Sequence, residues 1–584
     1  MARAPVSAES LLEGLDPEQR VAVESLLGPV CLLAGAGTGK TRAITHRIAY
    51  GVANGVYSEG KVMALTFTTR AAGELRTRLR GLGAGGVASR TFHAAALSQL
   101  AFFWPQVVGG TMPRILEGKA RLLGQVAESL RMRVDTAALR DLAAEVEWRK
   151  VSGLGIEEYA TAGRTPPGSL STEQVVALQQ GYENLKDDRR QLDFEDVLLA
   201  CAGMIDSEPR VAQQVREQYR FFVVDEYQDV SPLQQRLLEL WLGDREDLCV
   251  VGDASQTIYS FAGASPEFLL GFPRRYPDAM VVRLERNYRS TPAIVDAANR
   301  LMRGRAGALT LTAAAASVAA PPAEVATIPS AAPSRTVSPP PSAAPTIDAC
   351  RSDTEEARGV ASRIGELIAG GAKPQDIAVL YRINVQSVAL GAALDDAGVS
   401  YQVRGGTRFF DLPEIKQAIM MLKGATIVKT DEQLFRTVSD VLRSLGWTQE
   451  PPESRGAVRS RWESLNTLML LAEDQPPGTG LAGFVAELLE RSAGQHEPTM
   501  AAVTLATLHS AKGLEWDTVF LVGLQEGLVP IGYASTPEAI DEERRLLYVG
   551  LTRARKRLHL SWSASNGQRS GENRPSRFLA ELAR

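Results

Sequence analysis

The sequence predicts an α/β protein of two domains, each built on a parallel sheet and each carrying a helical insert. Three observations predict it. Val30 to Thr41 reads VCLLAGAGTGKT: an apolar run, a glycine-rich turn and a Gly-Lys-Thr that opens a helix, which is a phosphate-cradling P-loop. Short, fully apolar runs recur and end in polar residues, as in FFVVDE at 221–226 and LCVVGD at 248–253, the pattern of strands buried on both faces of a parallel sheet. This alternation of apolar runs and amphipathic stretches stops near Gly304 and resumes after Ile347, so the chain holds it twice.

At 584 residues the chain is too long for one hydrophobic core. Its net charge of −4 carries no global basic signature, so any nucleic-acid surface must be local. Cys31, Cys201, Cys249 and Cys350 are scattered with no CxxC pair, and three of them sit in apolar runs. That pattern predicts buried thiols in a reducing cytoplasm rather than disulfides or zinc. The opening MARAPVSAES lacks the apolar core of a signal peptide. No run of about eighteen apolar residues exists, so no membrane partner is expected and the expected compartment is the cytoplasm.

Taken in order, Asp16-Pro17 is an N-cap and first-turn pair for a helix running towards Leu27. Gln19 falls on its first turn. A glutamine amide can donate and accept at once, as reading N6 and N7 of adenine requires. A solvated helical residue is the alternative, and the P-loop just downstream disfavours it. In that loop Ala34, Gly35, Ala36, Gly37, Thr38 and Gly39 offer backbone N–H groups to a β-phosphate, the glycines leaving room that a Cβ would take. Lys40 reaches the β- and γ-phosphates, the Thr41 hydroxyl is a candidate Mg²⁺ ligand, and Arg42 follows on the helix. A nucleoside triphosphate is the expected ligand.

The run 61–67 (KVMALTF) is the next expected strand, ending in Thr66-Phe67; a helix with Ala71, Ala72, Leu75 and Leu79 on one side follows. Arg90-Thr91-Phe92-His93 again places a hydroxyl, an aromatic and an imidazole at a strand end, where open α/β sheets bind ligands. Small hydroxyls such as Thr66 suit phosphate or sugar oxygens, and aromatics stack bases. Taken singly, Phe67 and Phe92 read more readily as core. Residues 1–110 thus make the first part of domain one. The polar, Arg/Glu-rich stretch 111–203 reads as a helical insert, and 204–302 as the second part.

That second part opens on Phe221 to Asp229 (FFVVDEYQD). Asp225 would hold the Mg²⁺ shell, and Glu226 would orient and deprotonate the attacking water. Leu248–Val251 runs into 252–261 (GDASQTIYSF), where Gln256 is placed to sense the γ-phosphate and Tyr259 and Phe261 to stack bases. One segment touching both ligands would be a coupling element. In 281–290 (VVRLERNYRS), Arg289 would stabilise charge on the transferring phosphoryl group, and Tyr288 offers a face for adenine opposite Arg42.

Residues 303–347 are almost all Ala, Pro, Ser, Thr and Val, too poor in apolar bulk to order themselves, and are expected to form a disordered linker. Domain two is expected over 348–412 and 501–584, with a second helical insert at 413–500. Its first part has a helix at 354–369, a strand at 376–381, and a further strand with a Gly-Gly turn in 401–410. In its last part a strand at 503–507 leads to Leu508-His509 and on to Gly513-Leu514-Glu515-Trp516. A strand at 518–522, a helix at 542–553 carrying Thr552 and Arg553, and a strand at 557–562 complete it. Arg553 is a second candidate phosphate arginine; a solvated basic helix end fits Arg555, Lys556 and Arg557 better.

The succession LDPEQ, AGAGTGKT, TFTTRAAGEL, TFH, VVDEYQD, VGDASQTIYSFAGA, LERNYRST, AVLYRINVQS, TLHSAKGLEW and YVGLTRAR resembles superfamily 1 DNA helicases of the UvrD/PcrA/Rep group. The resemblance implies two RecA-like P-loop domains with ATP in the cleft, single-stranded DNA across their top, and 3′→5′ translocation. By the family pattern Lys40, Thr41, Asp225, Glu226, Gln256, Arg289 and Arg553 form the hydrolysis site for ATP and Mg²⁺. Glu515 takes the ribose and Gln19 the adenine. Phe67, His93, Tyr259, Phe261 and His509 fall at DNA contacts, and Thr66 joins them as a strand-end hydroxyl.

Three departures from the pattern matter. Phe261 stands where the group usually has Trp and Ala262 where it usually has Arg, weakening one base platform and one cationic contact. The second insert falls well short of the family's large one, which meets duplex DNA, so translocation is more firmly implied than strand separation. The chain also stops soon after Arg577, with no expected tail for partner docking, as in short UvrD paralogues. The implied partners are single-stranded DNA, duplex junctions and repair or replication proteins. Two activities stand side by side: an unwinding enzyme, and a DNA-stimulated ATPase that strips proteins and unwinds only with a partner.

Overall fold

The computed structural model describes residues 7–314, 344–404, 409–426, 434–450, 457–473, 475–476, 478–493, 501–565 and 573–582. Two compact units divide the chain. Unit 1 comprises Met1–Gly35 and Gly39–Leu284, and unit 2 comprises Ala36–Thr38 and Glu285–Arg584.

The strands of unit 1 are β1 (Val30–Ala34), β2 (Val62–Thr66), β3 (Ala88–Thr91), the short β4 (Arg114–Ile115) and β5 (Gln191–Leu192), β6 (Phe221–Val224), β7 (Leu248–Gly252) and β8 (Met280–Leu284). Six of them form one sheet in the order β3-β2-β6-β7-β1-β8, parallel at every pairing. Side chains alternate between the faces. Val30, Leu32, Val62, Ala64, Val223 and Val251 bury on one face, and Cys31, Met63, Leu65, Phe222, Val224 and Val250 on the other. Both faces are covered, which is why these strands read as unbroken apolar runs.

Helices cover both faces: α1 (Pro17–Glu24), α2 (Lys40–Ala53), α3 (Thr69–Gly81) and α4 (Phe92–Val107) come first. Thr68 and Thr91 cap α3 and α4, their hydroxyls accepting from Ala71 N and Ala94 N. The segment Arg90–His93 is therefore not all strand end: β3 stops at Thr91, and Phe92 and His93 are the first residues of α4. Then follow α5 (Lys119–Ser129), α6 (Thr136–Val151), α7 (Ile156–Thr161) and α8 (Thr172–Asp188). They pack Leu122, Leu123, Val126, Leu142, Val146, Leu178 and Tyr182 into a core of their own. The expected insert ran to residue 203, yet α9 (Phe194–Ser207) buries Val197, Leu198, Cys201 and Ile205 against the sheet core beside α4. The parallel β4–β5 pair brackets the helical cluster instead. After α10 (Pro209–Gln218) and α11 (Pro232–Leu242), two single turns, α12 (Glu267–Leu270) and α13 (Phe272–Arg275), lead to β8.

Unit 2 begins with β9 (Arg286–Asn287), α14 (Pro292–Met302) and β10 (Thr312–Ala313), which pairs with β9. The linker expected at 303–347 therefore has ordered ends, since β10 lies inside it and β11 (Thr346–Cys350) starts within it; residues 315–343 lie outside the described residues. With β12 (Ile377–Tyr381), β13 (Tyr401–Val403), β14 (Val503–Thr507), β15 (Trp516–Leu521) and β16 (Ala554–Ser563), β11 makes a second all-parallel sheet, β11-β16-β15-β12-β14-β13. The helices α15 (Asp353–Ala369) and α16 (Gln386–Asp396) bury Val360, Ile364, Leu390 and Leu394 against it. A separate core of Ile415, Leu422, Val438, Leu442, Leu465, Phe484 and Leu488 joins α17 (Pro413–Ala425), α18 (Leu434–Ser444), α19 (Ala457–Glu473) and α20 (Leu481–Ala493). The strand expected across 401–410 stops at Val403; its Gly-Gly turn lies outside the described residues. Then α21 (Pro537–Leu551) precedes β16, and α22 (Arg577–Leu582) follows it. The helix expected at 542–553 thus starts earlier and ends at Leu551, so Arg555, Lys556 and Arg557 belong to β16 rather than to a helix end.

Cys31, Cys201 and Cys249 are buried and Cys350 partly so, all as free thiols. Burial pushes Cys31 and Cys201 up to about 12, which leaves them protonated and unreactive. Among the described residues no helix is long and apolar enough to cross a membrane.

Candidate active site and nucleic-acid interface

The P-loop runs from the end of β1 into α2. Ala34 is the last, buried residue of β1, and Gly35 N donates to Leu284 O at the end of β8. Gly37 and Gly39 have φ of +70° and +83°, conformations that strain a side-chain-bearing residue. A Cβ on Gly37 would lie 2.7 Å from the Arg289 Cβ and the Asn287 side chain, and one on Gly39 would lie 2.7 Å from Gln19 Nε2. The loop is therefore a cradle that glycine keeps open. Lys40, at the first position of α2, holds its ammonium buried and without a hydrogen bond, 3.5 Å from a Glu226 carboxylate oxygen. A buried cation lacking hydrogen bonds beside glycine-lined backbone suits phosphate oxygens. Thr38 is buried, and Thr41 and Arg42 are partly exposed on the same turn.

Gln19 is 2% exposed and completes a capping box. Asp16 accepts from Gln19 N at 2.6 Å, and Gln19 Oε1 accepts from Asp16 N at 3.4 Å. Its Nε2 faces Gly39, so the expected adenine reader is neither solvated nor remote from the loop. Buried Arg47 of α2 donates to Ala22 O at 2.8 Å and to Ser25 O, holding the C-terminal end of α1, the helix whose first turn carries Gln19.

At the ends of β6 and β7 the two expected acids join a hydrogen-bonded chain. Glu226 sits at φ +52°, a left-handed conformation uncommon for a residue with a side chain. Its N–H donates to Asp225 Oδ1 at 3.0 Å. Gln228, wholly buried, donates from Nε2 to Glu226 Oε2 at 2.5 Å and accepts from Asp253 N at 3.0 Å. Asp253 Oδ2 in turn accepts from Gln256 Nε2 at 2.8 Å. The sequence placed Glu226 and Gln256 separately; Gln228 is what joins them.

The same segment continues to an aromatic face. Tyr259 stacks on Phe67 with centroids 5.4 Å apart and planes 16° apart, and Phe261 meets Tyr259 edge-on at 6.1 Å. Phe67 and Phe261 are exposed, whereas Phe92 is buried against Trp241, so the core reading holds for Phe92 alone. Thr66 is buried as the last residue of β2, which takes its hydroxyl out of the exposed face. His93 is half-buried, its pKa lowered to about 4 by burial and then by the Lys119 charge. Exposed Phe194, at the start of α9, meets its ring edge-on at 6.0 Å. Phe194 went unassigned because its stretch reads as an ordinary amphipathic helix start.

In unit 2, buried Asn287 donates to Ala36 O at 2.7 Å and accepts from Arg289 N at 2.9 Å and Ser290 N at 2.7 Å, while Tyr288 N donates to Gly37 O. Asn287 thus shapes the turn carrying Tyr288 and Arg289, a role no motif reading assigned. Arg289 pairs with Glu515 at 2.5 Å and donates to Thr552 O at 3.3 Å. Arg553 is 2% exposed in the turn between α21 and β16. It donates to Val549 O, Leu514 O and Thr552 Oγ1 at 2.9 to 3.1 Å. Arg555 and Lys556 each reach Asp517 at 2.7 Å, so they are ion-paired rather than simply solvated. His509 follows β14, its pKa lowered to about 4 by burial and then by Arg382.

The family described as UvrD/REP helicase N-terminal domain matches residues 15–277, and the UvrD-like helicase C-terminal domain matches 282–451 and 433–565. The chain is 47% identical over 601 aligned positions to ATP-dependent DNA helicase UvrD2 of Mycobacterium tuberculosis, covering 99% of this chain and 83% of that one. It is 29% identical to ATP-dependent DNA helicase PcrA of Bacillus subtilis, over 98% of this chain and 86% of the relative. UvrD1 of Mycobacterium tuberculosis is also 29% identical, with 99% and 86% covered. The two parallel sheets fit the RecA-like pair that the motifs implied, and the chain belongs to the UvrD/REP helicase family.

Proposed function

We propose that this chain is an ATP-dependent DNA helicase that moves 3′→5′ along single-stranded DNA and acts on tailed duplexes and junctions in cytoplasmic DNA repair or replication. One observation carries the reading. The segment 253–261 is tied at its start, through Gln228, to Glu226, and a few residues on it stacks Tyr259 on Phe67. The Gln228 hydrogen bonds and the backbone of 253–261 support a reading in which chemistry at Glu226 is felt at a base-stacking face of the same unit.

In this reading the backbone of 34–39 and the Lys40 ammonium hold the ATP phosphates, Lys40 exchanging Glu226 for phosphate oxygens. Glu226, freed, takes the proton of the attacking water while Gln228 keeps it oriented, and Gln256 senses the γ-phosphate. Gln19 gives up its weak bond to Asp16 N to read adenine between Arg42 and Tyr288, and Glu515 takes the ribose. Arg289 and Arg553 offset charge on the transferring group. Thr41 and Asp225 would hold Mg²⁺ with hard oxygen donors of the kind it prefers. Bound there, the ion would neutralise phosphate charge. Phe67, Tyr259, Phe261 and His93 in unit 1, and His509 in unit 2, would contact DNA. Stacking tolerates any base, so binding should be independent of sequence.

The test is unwinding of partial duplexes bearing a 3′ or a 5′ single-stranded tail, with ATP. Unwinding from the 3′ tail is expected. A preference for the 5′ tail would overturn the polarity. DNA-stimulated hydrolysis without unwinding of either would favour a translocase that strips proteins and needs a partner to separate strands.

A further inference from the structure

Arg289 and Glu515 hold each other at 2.5 Å, yet the reading above gives the guanidinium to the transferring phosphoryl group and the carboxylate to the ribose. Each must let go of the other. The turn around Arg289 is pinned to the start of β16: Arg289 donates to Thr552 O at 3.3 Å, Ser290 Oγ to Ala554 O at 2.7 Å and Thr291 N to Arg555 O at 3.0 Å. A second guanidinium meets the same carboxylate there, Arg555 lying 3.6 Å from the Glu515 oxygen that Arg289 does not hold. Arg555 is itself aimed by two acids, 2.7 Å from Asp517 of β15 and 3.4 Å from Asp376, which precedes β12. Asp517 has Lys556 at 2.7 Å on its other oxygen, so it depends on Arg555 only in part. Among the described residues the ion pairs of Glu515 are with Arg289 and Arg555, so once Arg289 leaves, Arg555 is the remaining partner. Two like charges on one carboxylate also repel each other, which loosens the hold on Arg289 beforehand.

We propose that Arg555 is a positioning residue for ATP hydrolysis: it keeps the Glu515 carboxylate in place for the ribose and so releases Arg289 to the phosphoryl group. The inference rests on the ATP roles of Arg289 and Glu515 proposed above, and it adds a residue that the sequence reads as part of a solvated helix end. Arg555 acts through Glu515 and not by contact with ATP.

The test uses the full chain and reads kcat and KM for ATP, with saturating single-stranded DNA, in Arg555→Gln, Glu515→Gln and the double variant. Arg555→Gln should lower kcat by about 3- to 10-fold, within the range of coupling between contacting residues, with a smaller change in KM. Arg555→Lys, which keeps the charge, should recover most of the loss. In the Glu515→Gln background Arg555→Gln should change nothing further, because the carboxylate it acts on is gone. Arg555→Met keeps the aliphatic stem and repeats the comparison where glutamine perturbs folding. Equal losses in both backgrounds would overturn the proposal, showing that Arg555 serves the fold through Asp517 and Asp376. Wild-type kinetics in Arg555→Gln beside a defective Glu515→Gln would also overturn it and leave the ATP roles of Arg289 and Glu515 standing. Wild-type kinetics in both Glu515→Gln and Arg289→Ala would overturn those roles and the proposal together.

Discussion

Lys40 lies 3.5 Å from Glu226, and the proposed mechanism uses both. Lys40→Met should lower ATP hydrolysis by about 10²- to 10³-fold, as losing one preorganised charge-stabilising group does; steady-state hydrolysis with saturating DNA measures it. Gln228 acts through its neighbours. Gln228→Leu should lower kcat with little change in KM for ATP and blunt the stimulation by DNA, because Glu226 loses its orienting donor while phosphate binding is untouched. A fall in KM-dependent terms alone would contradict this role. The histidines set a pH dependence. Burial, followed by Lys119 or Arg382, holds His93 and His509 at about 4, and His559 is held there by burial and Arg363, opposed in part by Asp348. Unfolded histidines take up protons near 6.5 while the folded ones refuse them down to about 4. The unfolded state therefore binds more protons in that window, and stability falls as pH drops from 6.5 to 4. Melting temperature against pH, flattened by His559→Asn, checks the sign.

The elements were legible where the signal was local. β1, β2, β6 and β7 read directly as apolar runs, and the capped start of α1 came from Asp16-Pro17, whereas the start of α4 at Phe92 was read as part of a strand end. What was not legible concerns partners distant in sequence. An amphipathic stripe shows that α9 buries a face but not which core receives it, so the insert boundary was set late. Gln228 and Asn287 stood in quoted motifs, yet their hydrogen bonds to Asp253 and Ala36 reach 25 and 251 residues away and leave no local trace. The first insert is fastened in a way that charge counting also hides. Lys150 of α6 lies 2.6 to 3.0 Å from Asp193, Asp196 and Glu183, and Lys186 of α8 reaches the same three carboxylates. Asp193 caps α9, so this buried cluster joins the insert to the helix that presents Phe194. Lys186→Met, which strands those charges, should cost about 3–5 kcal/mol, read as a lower denaturation midpoint; an unchanged midpoint would show the cluster to be dispensable.

For the whole molecule, membership of the UvrD/REP helicase family covers both units, and unit 1 alone contains the path from Glu226 to the stacked pair Phe67 and Tyr259. In the proposed reading that path couples hydrolysis to DNA contact. It also bears on the Trp-to-Phe and Arg-to-Ala departures at Phe261 and Ala262: Phe261 keeps an aromatic edge on Tyr259, so the face is reduced rather than lost. The most direct measurement is the ATPase rate of the full chain with and without single-stranded DNA. Strong stimulation is expected in the wild type, and its loss when Phe67 and Tyr259 are both replaced by alanine. A rate indifferent to DNA would contradict the proposed coupling of Glu226 to the Phe67–Tyr259 pair.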